Sequence, residues 1–318
     1  MKYIVFFILR TIGLHQHQDT KEKTELQKIG TTLKKVRMAQ NLTQKNIIGE
    51  DLARSTLEKI ENGKRNPSYD KITLICEKLN TSLPELIYIH NDYQLTEKET
   101  LIHDFKNLRH SLLPKPLEAL LLKINKYLLI HNDRQIVELK AVIEAMIIFN
   151  ETQNFSDSID TVKFIWERLE KLDDWLEFDI LILSHLFFIF EVDTAKYIIQ
   201  RLLVQIKKYS LYRHHYRLEM GLMINIATFF RHSYEILEAE VFIDKGIELA
   251  QKNENTIVEL IGRYKKSEIL YVKGFEKEAN KEYKDIVNIL KLLNKQYIYQ
   301  DMEKDWNELI LNIEKYRN

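Results

Sequence analysis

From Ile29 onward the chain carries apolar residues in short bursts at helical spacing, each burst closed by a residue that favours a turn. Ile29, Leu33 and Val36 predict a first helix that stops at Asn41. Thr43 is placed to cap a second short helix carrying Ile47 and Ile48, ended by Gly49. A third helix opens at Arg54 or Ser55, turns Leu57 and Ile60 inward, and stops at Asn62-Gly63, a pair suited to the left-handed conformation that closes helices. After the turn Asn66-Pro67-Ser68, Tyr69 to Leu79 predicts a fourth helix. Leu83-Pro84-Glu85 opens a fifth, with proline in the first turn, where its missing N–H costs nothing.

Residues 90–99 are polar and read as a linker, ending in Thr96 and Glu99, spaced as a capping box. Pro114 and Pro116 begin another helix running to Leu129. Helix pairs then recur. They align on Ile159, Ala195, Ala239 and Ala279 in the second helix of each pair, preceded by Ala145, Ser184, Ala227 and Ser267 in the first. Small side chains at such points let two helices of a hairpin approach closely, and the period fits a tetratricopeptide-like array. A last helix from Asp301 to Tyr316 is expected to cap the stack. The fold class is therefore all-α. Residues 26–90 form a helix-turn-helix domain, 91–99 a linker, and 100–318 a helical repeat domain.

Composition sharpens this reading. The 318 residues include 8 glycines and 4 prolines, and no proline follows Pro116. Proline costs about 3 kcal/mol inside a helix, so its absence favours long helices. One cysteine excludes a disulfide framework and any cysteine-rich metal site. The formal net charge of zero conceals an asymmetry: residues 26–90 carry 11 Lys/Arg against 7 Asp/Glu, so the remainder is acidic. A basic module joined to an acidic one points to a polyanion partner for the first alone. Residues 1–25 contain an apolar run, Tyr3 to Leu9, too short for a membrane-spanning helix. They are read as a disordered extension or an early-assigned start, with no membrane partner and a cytoplasmic location.

Leu42-Thr43-Gln44 and the run Ser55-Thr56-Leu57-Glu58-Lys59-Ile60-Glu61-Asn62-Gly63-Lys64-Arg65-Asn66-Pro67-Ser68 resemble the Cro/repressor-type domains. The resemblance implies that Gln44 starts the first helix of the motif, that Ser55 starts the recognition helix, and that Arg37 pairs with Glu61. The third helix presents Ser55, Thr56 and Lys59 on its leading face. Arg54 suits bidentate recognition of guanine, and Gln44 suits a phosphate or an adenine. Lys64 and Arg65 follow the recognition helix, where they position the duplex rather than read it.

The joining of such a domain to degenerate helical repeats, with Ile75-Cys76-Glu77-Lys78-Leu79-Asn80 in the fourth helix, resembles the Rgg and PlcR-type regulators of Gram-positive bacteria. That resemblance implies a homodimer on a palindromic double-stranded operator and a short hydrophobic signalling peptide held by the repeats. Asn150, Asn225, Arg231 and Tyr264 are the candidates for holding a peptide backbone, with Phe187, Phe188, Phe229 and Phe230 near them as pocket or as core. Ile310, Ile313 and Trp306 are the candidate dimer stripe.

No nucleophile–base pair supports an enzyme, and no cofactor is expected. His185, His214, His215 and His232 lack metal-ligand spacing and are read as surface residues. Cys76 is read as a buried small hydrophobe. Two alternatives stay open: a regulator without a peptide ligand, as on a mobile element, and an interaction scaffold that has lost DNA binding.

Overall fold

The computed structural model describes residues 29–108, 114–152, 154–212 and 215–317. Segment 1–25 and His214 lie outside them. The described residues are helical, with no strand beyond one isolated bridge between Gly49 and Leu52. They separate into two compact units, divided between Thr100 and Leu101.

The first unit packs α1 (Ile29–Ala39), α2 (Gln44–Ile47), α3 (Arg54–Glu61), α4 (Tyr69–Lys78) and α5 (Leu83–His90) around one core. Leu33, Val36, Ile47, Leu57, Ile60, Ile75, Leu79 and Leu86 are buried there, and so is Cys76. The predicted stops hold. Asn41 takes φ +57°, and Gly63 takes φ +67° at the end of α3. There the Lys64 N–H reaches back to the Lys59 carbonyl at 2.8 Å. Gly30 has its own reason. A Cβ there would stand 1.9 Å from the Ile60 carbonyl oxygen, so only glycine lets α1 lie against α3 this closely.

The second helix differs from expectation. It is a single turn, and Ile48 has already left it for an extended conformation. Gly49 and Leu52 then exchange two backbone hydrogen bonds of 3.2 Å, which turns the chain tightly and drives Leu52 into the core. Thr43 also works differently from a simple cap. Its N–H and its hydroxyl both donate to Asn46 Oδ1, at 2.8 and 2.6 Å.

The second unit begins at Leu101, inside α6 (Glu97–Lys106). That helix opens on the expected capping box: the Thr96 N–H donates to Glu99 at 2.9 Å and the Glu99 N–H to Thr96 at 3.2 Å. After α7 (Pro114–Leu128) come the pairs α8 (Arg134–Thr152) with α9 (Ile159–Leu169) and α10 (Glu177–Leu183) with α11 (Val192–Lys207). Next are α12 (Tyr216–His232) with α13 (Glu240–Lys252) and α14 (Thr256–Val272) with α15 (Glu276–Leu292). The chain closes on α16 (Gln296–Leu311) and α17 (Ile313–Arg317). The small residues that align the repeats are buried where hairpin partners meet: Ala145, Ser184, Ala195, Ala227, Ala239, Ser267 and Ala279.

Two expectations for this unit need correction. The last helix starts at Gln296 rather than Asp301 and breaks at Asn312. Trp306 is buried, stacked on Tyr283 with ring centroids 4.4 Å apart, and so cannot belong to an exposed dimer stripe. The first helix of the second pair is also short: α10 ends at Leu183 and a 3-10 turn, Phe187–Ile189, replaces its continuation. The tight turns between helices use few glycines. Tyr234, Glu254 and Asn294 adopt φ of +59°, +53° and +54° instead, and each turn is closed by a backbone bond to the preceding helix.

Candidate functional site

In the first unit the site is built on Glu61. This buried carboxylate takes a bidentate pair from Arg37, Nε to Oε1 at 2.6 Å and Nη2 to Oε2 at 2.9 Å. Gln44 Nε2 adds a third bond at 2.9 Å, while Arg37 Nη1 donates to the Leu42 carbonyl at 2.6 Å. Burial alone would raise the Glu61 carboxyl, but the bonds from Arg37 and Gln44 outweigh it and hold it below the usual range. The hub ties α1, α2 and α3 together, which sets the angle at which α3 is presented.

On that frame Arg54 is the first residue of α3, with Ala53 in extended conformation before it and no side chain capping the helix end. Arg54, Ser55 and Lys59 are exposed, Thr56 is half-buried, and Lys64 and Arg65 are exposed just past the Gly63 turn. All seven residues assigned to DNA, the half-buried Gln44 included, are thus at least partly open to solvent. Gln44 is the exception in kind. Its amide nitrogen is committed to Glu61, so its first task is to position α3.

In the second unit the four peptide candidates do not form one set. Arg231 and Tyr264 meet in a buried network with Glu268. Arg231 Nε donates to Glu268 Oε1 at 2.7 Å, and the Tyr264 hydroxyl lies 3.1 Å from the same oxygen and 3.2 Å from the Met302 carbonyl. Arg231 Nη2 donates to the Asp305 carbonyl at 2.6 Å. Asn225 is buried on α12, and its Nδ2 donates to the Ser184 carbonyl at 3.0 Å. That carbonyl is left over where α10 breaks, so Asn225 completes a helix end and keeps only its Oδ1 uncommitted. Asn150 is half-buried on α8, and no hydrogen bond joins it to the other three.

The aromatic candidates are packed on one another. Phe187, Phe188, Phe229 and Phe230 are buried, with successive centroids 5.3 to 5.7 Å apart. Two histidines read as surface residues are buried instead, because they sit within packed helical turns. The His185 ring, 5.0 Å from Phe105, donates through Nδ1 to the Leu181 carbonyl, and burial lowers its pKa to about 4. His215 stacks on Tyr209. Among the described residues no group of His, Cys, Asp and Glu could hold a metal ion.

Lys265 is the residue the sequence reading missed. It lies on α14 one position from Tyr264, only 5% exposed, next to Arg231, Glu268 and Asp305. Burial drives its pKa down against the pull of the two carboxylates. Burial also pushes Asp305 up to about 7 and Asp301 up to about 6. The sequence signal was present: a lysine among the apolar positions Ile261, Tyr264 and Ile269 of a repeat's first helix.

Residues 122–304, more than half of the chain, match the model of the C-terminal domain of the HTH-type transcriptional regulator Rgg. This chain belongs to the Rgg family. Its members are transcriptional regulators rather than enzymes, and residues 33–86 match the helix-turn-helix model separately. No curated protein matches the sequence. Among solved structures, the Rgg-family chain is similar to a candidate transcriptional regulator from Listeria monocytogenes EGD-e. The identity is 20% and the TM-score 0.73, covering 90% of this chain and 98% of that one. It is also similar to the Streptococcus dysgalactiae SHP pheromone receptor Rgg2, at 17% identity and TM-score 0.63, over 88% and 99% of the two chains. A third is Bacillus thuringiensis PlcR in complex with the peptide PapR7 and DNA, at 16% identity and TM-score 0.63, over 86% and 98%. At these identities the likeness establishes the shared fold.

Proposed function

We propose that this Rgg-family regulator works in the cytoplasm, reads a palindromic operator as a homodimer through α3, and is switched by a short hydrophobic peptide held in its repeats. The observation that carries the reading is the presentation of α3. An otherwise closed hub of Arg37, Gln44 and Glu61 leaves Arg54, Ser55 and Lys59 exposed at the leading edge, with Lys64 and Arg65 behind. Hydroxyls and backbone N–H groups at a helix N-terminus suit phosphates, and an arginine there suits guanine.

In a two-fold dimer the two copies of α3 would enter major grooves about 34 Å apart. A change in how the repeats stack would alter that spacing, so binding in the second unit is converted to DNA affinity in the first. With Trp306 buried, Leu311, 84% exposed, and Ile310 are the apolar groups of α16 left for a dimer contact. The peptide assignment is supported by the fold shared with PlcR in its complex with PapR7 and DNA, and by the uncommitted Asn225 Oδ1 and Arg231 Nη1 on α12. No helix among the described residues is long and apolar enough to cross a membrane, which suits the cytoplasmic placement.

The test is DNA binding by the full chain, followed by fluorescence anisotropy over a salt series on the stretch upstream of its own gene. Phosphate contacts from Lys59, Lys64 and Arg65 predict affinity that falls steeply and linearly in log[salt]. Binding that is absent, or that ignores salt, supports the scaffold reading instead.

A further inference from the structure

The solvent face of α11 carries a pattern that packing within the chain does not use. Tyr197, Val204 and Leu211 are 51%, 60% and 100% exposed, and they recur at every seventh position. Seven residues fall about 20° short of two helical turns, so the three share one stripe that runs on past the helix end at Lys207. Asp193 stands at the start of this stripe, Gln200 beside its middle and Lys208 near its end, all three exposed. Single exposed apolar residues are ordinary. A row of them on one helix face, flanked by opposite charges toward its two ends, calls for a partner.

The row is also held still. The Tyr197 ring meets Trp166 edge-on with centroids 6.1 Å apart. The Arg201 guanidinium lies 5.9 Å from the same tyrosine and 4.4 Å over Trp175, and its Nη1 donates to the Glu170 carbonyl at 3.2 Å. Tyr197 is thus presented on a rigid floor and has little freedom left to lose on burial, the condition under which an aromatic anchors an interface.

The order of the residues says what fits. Reversed in direction, the stripe matches itself. About a two-fold axis between Gln200 and Arg201, Tyr197 falls opposite the partner's Val204, and Asp193 opposite the partner's Lys208. Asp193 has no ion pair among the described residues, and Lys208 has an exposed one to Asp174, of a kind worth little. Antiparallel helices also set each positive N-terminus beside a negative C-terminus. A parallel copy would set like charges together at both ends.

We propose that α11 is a self-association surface whose occupant is α11 of a second copy of this chain, packed antiparallel. A contact limited to one helix from each copy falls short of the roughly 1,200–2,000 Å² that a stand-alone complex buries. It therefore joins molecules already held as dimers, pairing two dimers into a tetramer. The proposal takes only the homodimer from the reading above and is independent of any peptide.

Sedimentation velocity of the full chain over a concentration series tests it. The native chain should pass from dimer to tetramer, and Val204→Glu should stay dimeric throughout. Asp193→Lys and Lys208→Glu each bring like charges together and should weaken the step at least tenfold, while the double variant should restore it. These positions are exposed, so every variant should melt with the native chain. Gln200→Cys, beside the axis, should form a disulfide with its own copy under mild oxidation, and adding Val204→Glu should prevent it; Cys76 is buried and does not compete. A native chain with no step beyond the dimer, indistinguishable from Val204→Glu, overturns the proposal. So does a step that the single charge reversals leave unchanged or the double variant fails to restore. Val204→Glu monomers would uphold the α11 contact, and refute the assignment of the homodimer to α16.

Discussion

Each unit of this chain buries an arginine–glutamate pair, and the two pairs are finished differently. In the first unit all three guanidinium nitrogens of Arg37 donate, two to Glu61 and one to the Leu42 carbonyl, and Gln44 takes up part of what remains on the carboxylate. In the second unit Arg231 spends two nitrogens, on Glu268 and the Asp305 carbonyl, while Nη1 makes no hydrogen bond and only faces Glu308 at 4.0 Å. A closed pair fixes geometry, which is what a DNA-reading helix needs. An open one leaves part of its hydrogen-bonding capacity unused. Arg168 on α9 shows that the repeat unit can also close such a pair, with two bonds to Glu138 and one to Asp179. The openness around Arg231 is therefore local.

The contrast breaks first at Arg37. Arg37→Ala leaves Glu61 buried and uncompensated, a loss of about 3–5 kcal/mol. Urea unfolding followed by hydrogen exchange should show the first unit's protection falling while that of α12 to α16 stays unchanged. Equal losses in both units would mean that the hub is not confined to the DNA-reading unit.

A smaller effect is expected at Asp305, and it depends on pH. Its folded pKa is raised to about 7 from 3.8, so the stability tied to the protonated acid is complete below about pH 4 and lost as pH rises through 7. Asp305→Asn escapes that loss. Its melting temperature should match the native chain near pH 4 and exceed it by several degrees at pH 8, at about 2–4 °C per kcal/mol for a unit of this size. A constant offset across that range would remove Asp305 from the titrating cluster.

Much of this was legible in the sequence, for identifiable reasons. Helix ends marked by Asn41, Gly63 and Thr96 were readable because local backbone chemistry sets them. The repeat register was readable because Ala195, Ala239 and Ala279 must be small where helices touch. The Arg37–Glu61 pair came from a motif resemblance and stands in the structure at 2.6 Å. What escaped depended on tertiary partners. Ile48 leaves α2 because Leu52 needs the core, a competition no local pattern reports. Asn225 faces Ser184, 41 positions away, only because α10 breaks and strands a carbonyl. Trp306 looked like an exposed stripe until Tyr283 covered it. Lys265 was passed over because a lysine in an apolar stripe is ordinarily able to reach water along its stem, and here only 5% of the residue is exposed.

The central claim is that α3 reads base sequence through Arg54 while the residues behind it only hold the duplex. Its most direct test is the affinity of the native chain, Arg54→Ala and Lys64→Ala for DNA selected by the protein from a random pool and for an unrelated duplex. The account predicts that Arg54→Ala lowers the specific-to-unrelated ratio by roughly 10- to 100-fold, the equivalent of about 1–3 kcal/mol at one base contact. Lys64→Ala should weaken both duplexes alike and reduce the salt slope by about 1. An Arg54→Ala protein whose ratio is unchanged, or a Lys64→Ala protein that loses selectivity as much as affinity, would contradict it.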